Sequence, residues 1–215
     1  MRKPFWLIIF SLLFLFPVNA QKPADWKISD YLKNLPTEFK TFSGDFASEP
    51  NEKTTVIDDR NGYAVYLSSE AKDAFPILEM ALFKDARGQH LLVVSNLQSD
   101  PVCNFYQTFF LRRDGEKWLE VRDQVLPDLK LTMFFREAKT ALEFEKDYKR
   151  AGNSDPLDLH FYPPRKGTVL KVALEFCDYV PDDLSGEIDL QKFTDQRKTV
   201  ALGWDKGKGV FKISR

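Results

Sequence analysis

Ser69 and Lys72, in the stretch "SSEAK", stand three residues apart. On a helix that spacing sets a hydroxyl one turn from an amine able to help deprotonate it. Serine acyl transfer of this kind also needs an S-D-N and a K-T-G element. This chain has neither, and its nearest approach is Lys198-Thr199-Val200. The spacing is therefore read as chance. The two histidines, His90 and His160, both fall in or beside strand-like segments that flank turns. A metal site built on them needs one or two further ligands, and no local spacing supplies those. They are read as partly exposed strand histidines, and neither a metal nor a cofactor is expected. G-x-S-x-G, H-E-x-x-H, C-x-x-C and the phosphate-loop pattern are all absent.

Two stretches invite binding rather than catalysis. "CDYVPDDLSGEIDLQKFTD" gathers acids without the spacing of a calcium loop. It reads as a solvated acidic connection, and Asp178, Asp182, Asp183, Glu187 and Asp189 form a candidate loop for docking a basic partner. "GWDKGKG" sets Trp204 beside Lys206 and Lys208 at a hairpin tip. An aromatic ring with lysines can stack on a sugar or clamp an anion; it can equally pack across its own hairpin. Paired carboxylates for glycoside hydrolysis are set by the fold rather than by local spacing, and no pair is singled out.

The N-terminus assigns a compartment. Arg2 and Lys3 precede an apolar run from Phe5 to Phe16, then Pro17 and the small-residue site ending at Ala20. This is the layout of a secretory signal peptide over residues 1–20. The run is about twelve residues, short of the roughly 20 that span a bilayer. No later stretch is apolar enough for a membrane helix. Periplasmic or secreted export is expected, and the absence of an N-x-S/T sequon fits a bacterial source. Without Arg2 and Lys3, 29 basic residues face 32 acidic ones. That net charge of −3 offers no electrostatic footprint for nucleic acid. Cys103 and Cys177 are the only cysteines, and in an exported chain an isolated pair is expected as a disulfide. It would close a loop of about 74 residues, a constraint of about 4 kcal/mol in the chain-entropy model.

The elements that must position these residues follow from periodicity. Ile28, Tyr31, Leu32 and Leu35 share a helical face ahead of Pro36. From Gly62 the period becomes two, with strands in "YAVYLS", "ILEMALF", "HLLVVSNL", "CNFYQTFFLRR" and "KWLEV", and with turns at Gly88 and Gly115. "CNFYQTFFL" is aromatic on both faces, as expected of a strand covered on both sides. A second helix is expected over residues 134–151. Strands resume in "LDLHFY", "TVLKVALEF", "TVALGWD" and "VFKIS", with turns at Gly167 and Gly207.

The fold expected is α+β, mainly an antiparallel meander with two helices packed on it. A β-sandwich or a partly open barrel is the alternative. Residues 21–215 are read as one β-rich domain, with pseudo-repeat halves at 21–130 and 131–215, each a helix plus four strands. That layout resembles secreted proteinaceous enzyme inhibitors of the β-lactamase-inhibitor kind, which implies a protein that docks on an enzyme by a loop tip. The function expected is an exported, non-enzymatic binding protein whose ligand is a protein or a cell-envelope component. The alternatives are an inhibitor of a secreted or periplasmic hydrolase, and an envelope hydrolase using dispersed carboxylates.

Overall fold

The computed structural model describes residues 26–40, 54–68, 75–99, 104–152, 156–176, 180, 184 and 187–214. Helix α1 (Ile28–Asn34) forms where the pattern places it, and it buries Ile28, Tyr31 and Leu32 on one face. The Asp30 carboxylate accepts from the Lys27 N–H at 2.9 Å and satisfies one of the open donors of its first turn.

Strands β1 (Thr55–Asp58), β2 (Tyr63–Leu67), β3 (Pro76–Lys84), β4 (His90–Ser99), β5 (Asn104–Asp114) and β6 (Lys117–Glu120) form one antiparallel meander in chain order. Strands β7 (Leu159–Tyr162), β8 (Val169–Leu174), β9 (Val200–Asp205) and β10 (Val210–Ile213) form a second meander. The fold is α+β, mostly antiparallel. Neither sheet closes on itself, so it is not a barrel. Among the described residues the first half carries six strands where a helix-plus-four-strand unit was expected, and the second half carries four.

Strand alternation decides what covers each face. Leu78, Met80, Leu92, Val94 and Leu111 point at α1. Ala81, Phe83, Leu91, Val93 and Phe110 point at the second sheet, where they meet Phe161, Leu170, Val172, Leu202 and Phe211. The Phe110 ring sits edge-on to Phe161 at 5.1 Å and to Phe211 at 6.2 Å. Each fully buried side chain of this size contributes about 1.5–3 kcal/mol.

Two expectations need correction. The second helix, α3 (Ala138–Arg150), starts four residues later than its periodicity implies. Phe134 and Phe135 are both fully buried. The chain instead makes a 3-10 turn at Leu131–Phe134, and Phe135 then bridges to Arg197 in extended form. The acidic connection is also less solvated than its composition implies. Ile188, Leu190 and Phe193 join the core, Phe193 from a 3-10 turn at Gln191–Gln196.

The tips of two hairpins, β3–β4 and β9–β10, clasp each other. Ala86 N–H donates to the Lys206 carbonyl at 2.8 Å, and Arg112 Nη2 donates to the Gly209 carbonyl at 2.8 Å. At the centre is Asp85, only 2% exposed. Its carboxylate accepts from the Arg87 and Gln89 N–H groups, both at 2.9 Å, and from the Arg87 guanidinium at 3.2 Å. Burial pushes this carboxyl up, but the bonds from Gln89 and Arg87 together outweigh burial and hold it below the usual carboxylate range. The last hairpin turns over residues 206–209, around the expected Gly207, and its left-handed residue is Gly209 (φ +69). A Cβ on Gly209 would lie 3.1 Å from Arg112 Nη2 and 3.3 Å from Asp85 Oδ2.

Asp85→Ala leaves two part-buried amides without their acceptor, and a loss of about 1–3 kcal/mol is expected in urea unfolding. Gly209→Ala is expected to cost at least about 1–2 kcal/mol from the left-handed backbone alone. An unchanged urea midpoint in both would show that the clasp contributes nothing to stability.

Candidate functional site

Strand β6 pairs with β5 only from Leu111 to Asp114. Val121 N–H still donates to the Phe110 carbonyl at 2.8 Å, and the chain then turns away into the short helix α2 (Arg122–Val125). The preceding part of β5 lies at the sheet margin, and among the described residues no strand pairs with that side. A groove of about 710 Å³ runs along it. Its floor is the strand itself, from Phe105 to Thr108; Arg122, Tyr148, Leu157, Asp158 and Leu159 stand around it. Phe105 is 36% exposed, an aromatic ring at the rim.

Beneath the groove stands a column of rings. Tyr106 stacks flat on His160, with centroids 3.7 Å apart and planes 3° apart, and Tyr162 lies against the other side of the pair, 3.8 Å from His160 and tilted by 35°. Each phenol is tied down. Tyr106 donates to the Pro76 carbonyl at 3.2 Å, and Tyr162 donates to Glu175 Oε1 at 3.0 Å. Burial pushes the Tyr106 hydroxyl up to about 12. The next row of β3, β4 and β5 across the same face is polar. Glu79 lies opposite Ser95 in register, and Ser95 Oγ lies 3.2 Å from Thr108 Oγ1. Glu79 accepts from the Tyr63 hydroxyl at 2.7 Å, and burial raises its carboxyl above the usual value.

His160 is buried at 4% exposure, which corrects the expectation of a partly exposed strand histidine. Burial lowers its pKa to about 4. Its Nε2 has no hydrogen-bond partner, and its Nδ1 lies 4.0 Å from Glu175, beyond hydrogen-bond reach. The imidazole is therefore neutral and is held by stacking rather than oriented as a base. His90 does not approach it. His90 belongs to the α1 side of the first sheet, where its Nδ1 lies 3.0 Å from the Tyr31 hydroxyl.

Apart from His160, the residues singled out from the sequence lie away from this groove or outside the described residues. Ser69, Lys72, Cys103, Cys177, Asp178, Asp182 and Asp183 are all outside them. Glu187 and Asp189 are exposed on either side of buried Ile188, and Glu187 pairs with Arg150. Trp204 is engaged in sheet packing: it lies 5.6 Å from Phe83 and 5.0 Å from Phe211, and its indole N–H donates to the Lys84 carbonyl at 3.0 Å. Lys206 and Lys208 are exposed at the clasp, toward the opposite end of β4 from the groove. The aromatic run "CNFYQTFFL" was the available signal for the groove. Arg122, Tyr148 and Leu157 carried none.

Comparison with known proteins adds little to this geometry. No family model matches the chain, and no curated protein matches it. Among solved structures it is similar to a domain of an uncharacterized protein from Porphyromonas gingivalis W83, at 10% identity and a TM-score of 0.42. The similarity covers 64% of this chain and 65% of that one.

A neutral buried histidine makes stability depend on pH. The native state binds fewer protons than the unfolded state once the pH falls below the unfolded histidine value of 6.5, so stability is lost progressively from there to about pH 4. His160→Phe preserves the stack and removes the titration. Between pH 6.5 and about pH 4 the wild type is expected to lose about 3 kcal/mol more than this variant in paired urea titrations. Parallel stability curves would refute a buried neutral imidazole.

Proposed function

We propose that this is an exported, non-enzymatic binding protein and that its ligand occupies the groove along β5. The single observation that carries the reading is the groove itself: about 710 Å³, with Phe105 exposed at its rim and apolar Leu157, Leu159 and Tyr148 beside polar Arg122 and Asp158. Its lining mixes polar and apolar groups, which can supply both contact area and orienting hydrogen bonds to a ligand. Export rests on the N-terminal pattern, which places maturation after Ala20. Among the described residues no helix is long and apolar enough to cross a membrane.

The test is mass spectrometry of the protein recovered from the exported fraction, under native and then denaturing conditions. The denatured chain is expected to begin at Gln21, and the native one to carry additional mass. Phe105→Glu changes an exposed residue and leaves the core alone, so the fold is expected to survive it. It is expected to remove the added mass or to weaken its retention about tenfold. A cytosolic, full-length chain would overturn export. Equal retention by wild type and variant, or no added mass in either, would overturn the groove as the site.

A further inference from the structure

We infer that the ligand of the groove along β5 is a neutral glycan, with a sugar ring stacked on Phe105. This rests on the groove being the binding site and names the class of molecule that fills it. The first observation is which lining groups a ligand can reach. Thr108 is 4% exposed, so the β5 backbone is not open for strand pairing there. Tyr148 and Leu159 are buried as well, and Leu157 is half-buried. Of the lining residues with apolar side chains, Phe105 is the exposed one. Its contact surface is a flat ring whose face carries negative charge density. The C–H face of a sugar, weakly positive and also flat, is complementary to it.

The second observation is the character of the polar lining, which includes Gln98, Gln107, Asp158 and Arg122. A glutamine amide both donates and accepts, a carboxylate accepts, and a guanidinium donates. Sugar hydroxyls also do both, so this set can match them. Gln107 is exposed. Arg122 lies over the Phe161 ring at 5.3 Å, which leaves N–H groups at the edge of its plane. Arg122 and Asp158 are one positive and one negative group, so the lining carries no net charge to select an ionic ligand. An acyl chain laid along the same groove would cover these polar groups without pairing them, at a cost in free energy. A hydroxyl-rich, uncharged ligand with one apolar face meets both parts of the lining.

The test uses the mature full chain on an array of defined oligosaccharides, neutral ones beside sulfated and uronic-acid ones. The expected result is binding to neutral members. Phe105→Tyr keeps the ring and is expected to bind like wild type. Phe105→Leu keeps an apolar contact but removes the ring. It is expected to weaken binding about tenfold or more, as is Phe105→Glu. All three change an exposed side chain, so the fold is expected to survive them. The native mass spectrum gives a second readout, which does not depend on the variants. There the added mass is expected to be made up of whole sugar residues.

Glycan binding that Phe105→Leu retains in full would overturn ring stacking, and the inference with it. A preference for the charged members would overturn the neutral class. No binding to any member of the array, with the added mass still lost on Phe105→Glu, would overturn the glycan and leave the groove as the binding site. Glycan binding retained by Phe105→Glu would put the sugar outside the groove and overturn both readings. An added mass composed of amino acids or of an acyl chain would make the occupant a peptide or a lipid and overturn the inference.

Discussion

The structure depends on one requirement: the middle strands of the first sheet are apolar on both faces, so both faces must be covered. Strands β3 and β4 alternate Leu78, Met80, Leu92 and Val94 with Ala81, Phe83, Leu91 and Val93, and all eight are at most 3% exposed. Helix α1 suffices for one face. The other is broader and more aromatic, and a whole second sheet packs on it through Phe110, Phe161 and Phe211. Interlocked rings of this kind fix the relative position of the two sheets, because a densely packed interior leaves no room to slide.

The two ends of this packing differ in chemistry. At the Asp85 end, turn meets turn, and a buried carboxylate collects backbone N–H groups in place of water. A buried charge persists only where its hydrogen-bonding capacity is filled, so this end is closed and specific. At the other end β6 is too short to cover β5, and α2 carries the chain away. The ring column of Tyr106, His160 and Tyr162 supports the strand from beneath without covering its margin. The groove is thus a product of the same packing. Where the second sheet and α3 cover the inner face, Tyr148, Leu157 and Leu159 line the groove beside β5.

Much of the architecture was legible in the sequence, and the reasons are local. Period-two alternation from Tyr63 to Val121 marks strands because neighbouring side chains must point to opposite faces. Gly88, Gly115 and Gly167 mark hairpins because their turns use a left-handed residue. Ile28, Tyr31 and Leu32 mark α1 because one stripe of a helix must be buried. The double aromatic pattern of β5 foretold a strand covered on both faces over much of its length, with Phe110 fully buried and Phe109 packed on the α1 side. At Phe105 that cover stops, and there the sequence pattern and the structure part.

By itself, then, the sequence determined the elements, their antiparallel order and the residues able to form a core, since each follows from the spacing of neighbours along the chain. Only the tertiary structure decided where those elements end and what they leave open. Backbone pairing of residues 134–136 with the distant segment 196–198 takes those residues out of α3, an effect that helical periodicity does not carry. Burial of Ile188, Leu190 and Phe193 draws an acidic stretch onto the core. His160 loses its water because Tyr106, from a strand far off in sequence, lies flat against it. The groove has only a partial local signature, the aromatic run of β5, because Arg122, Tyr148 and Leu157 reach it from three other places in the chain.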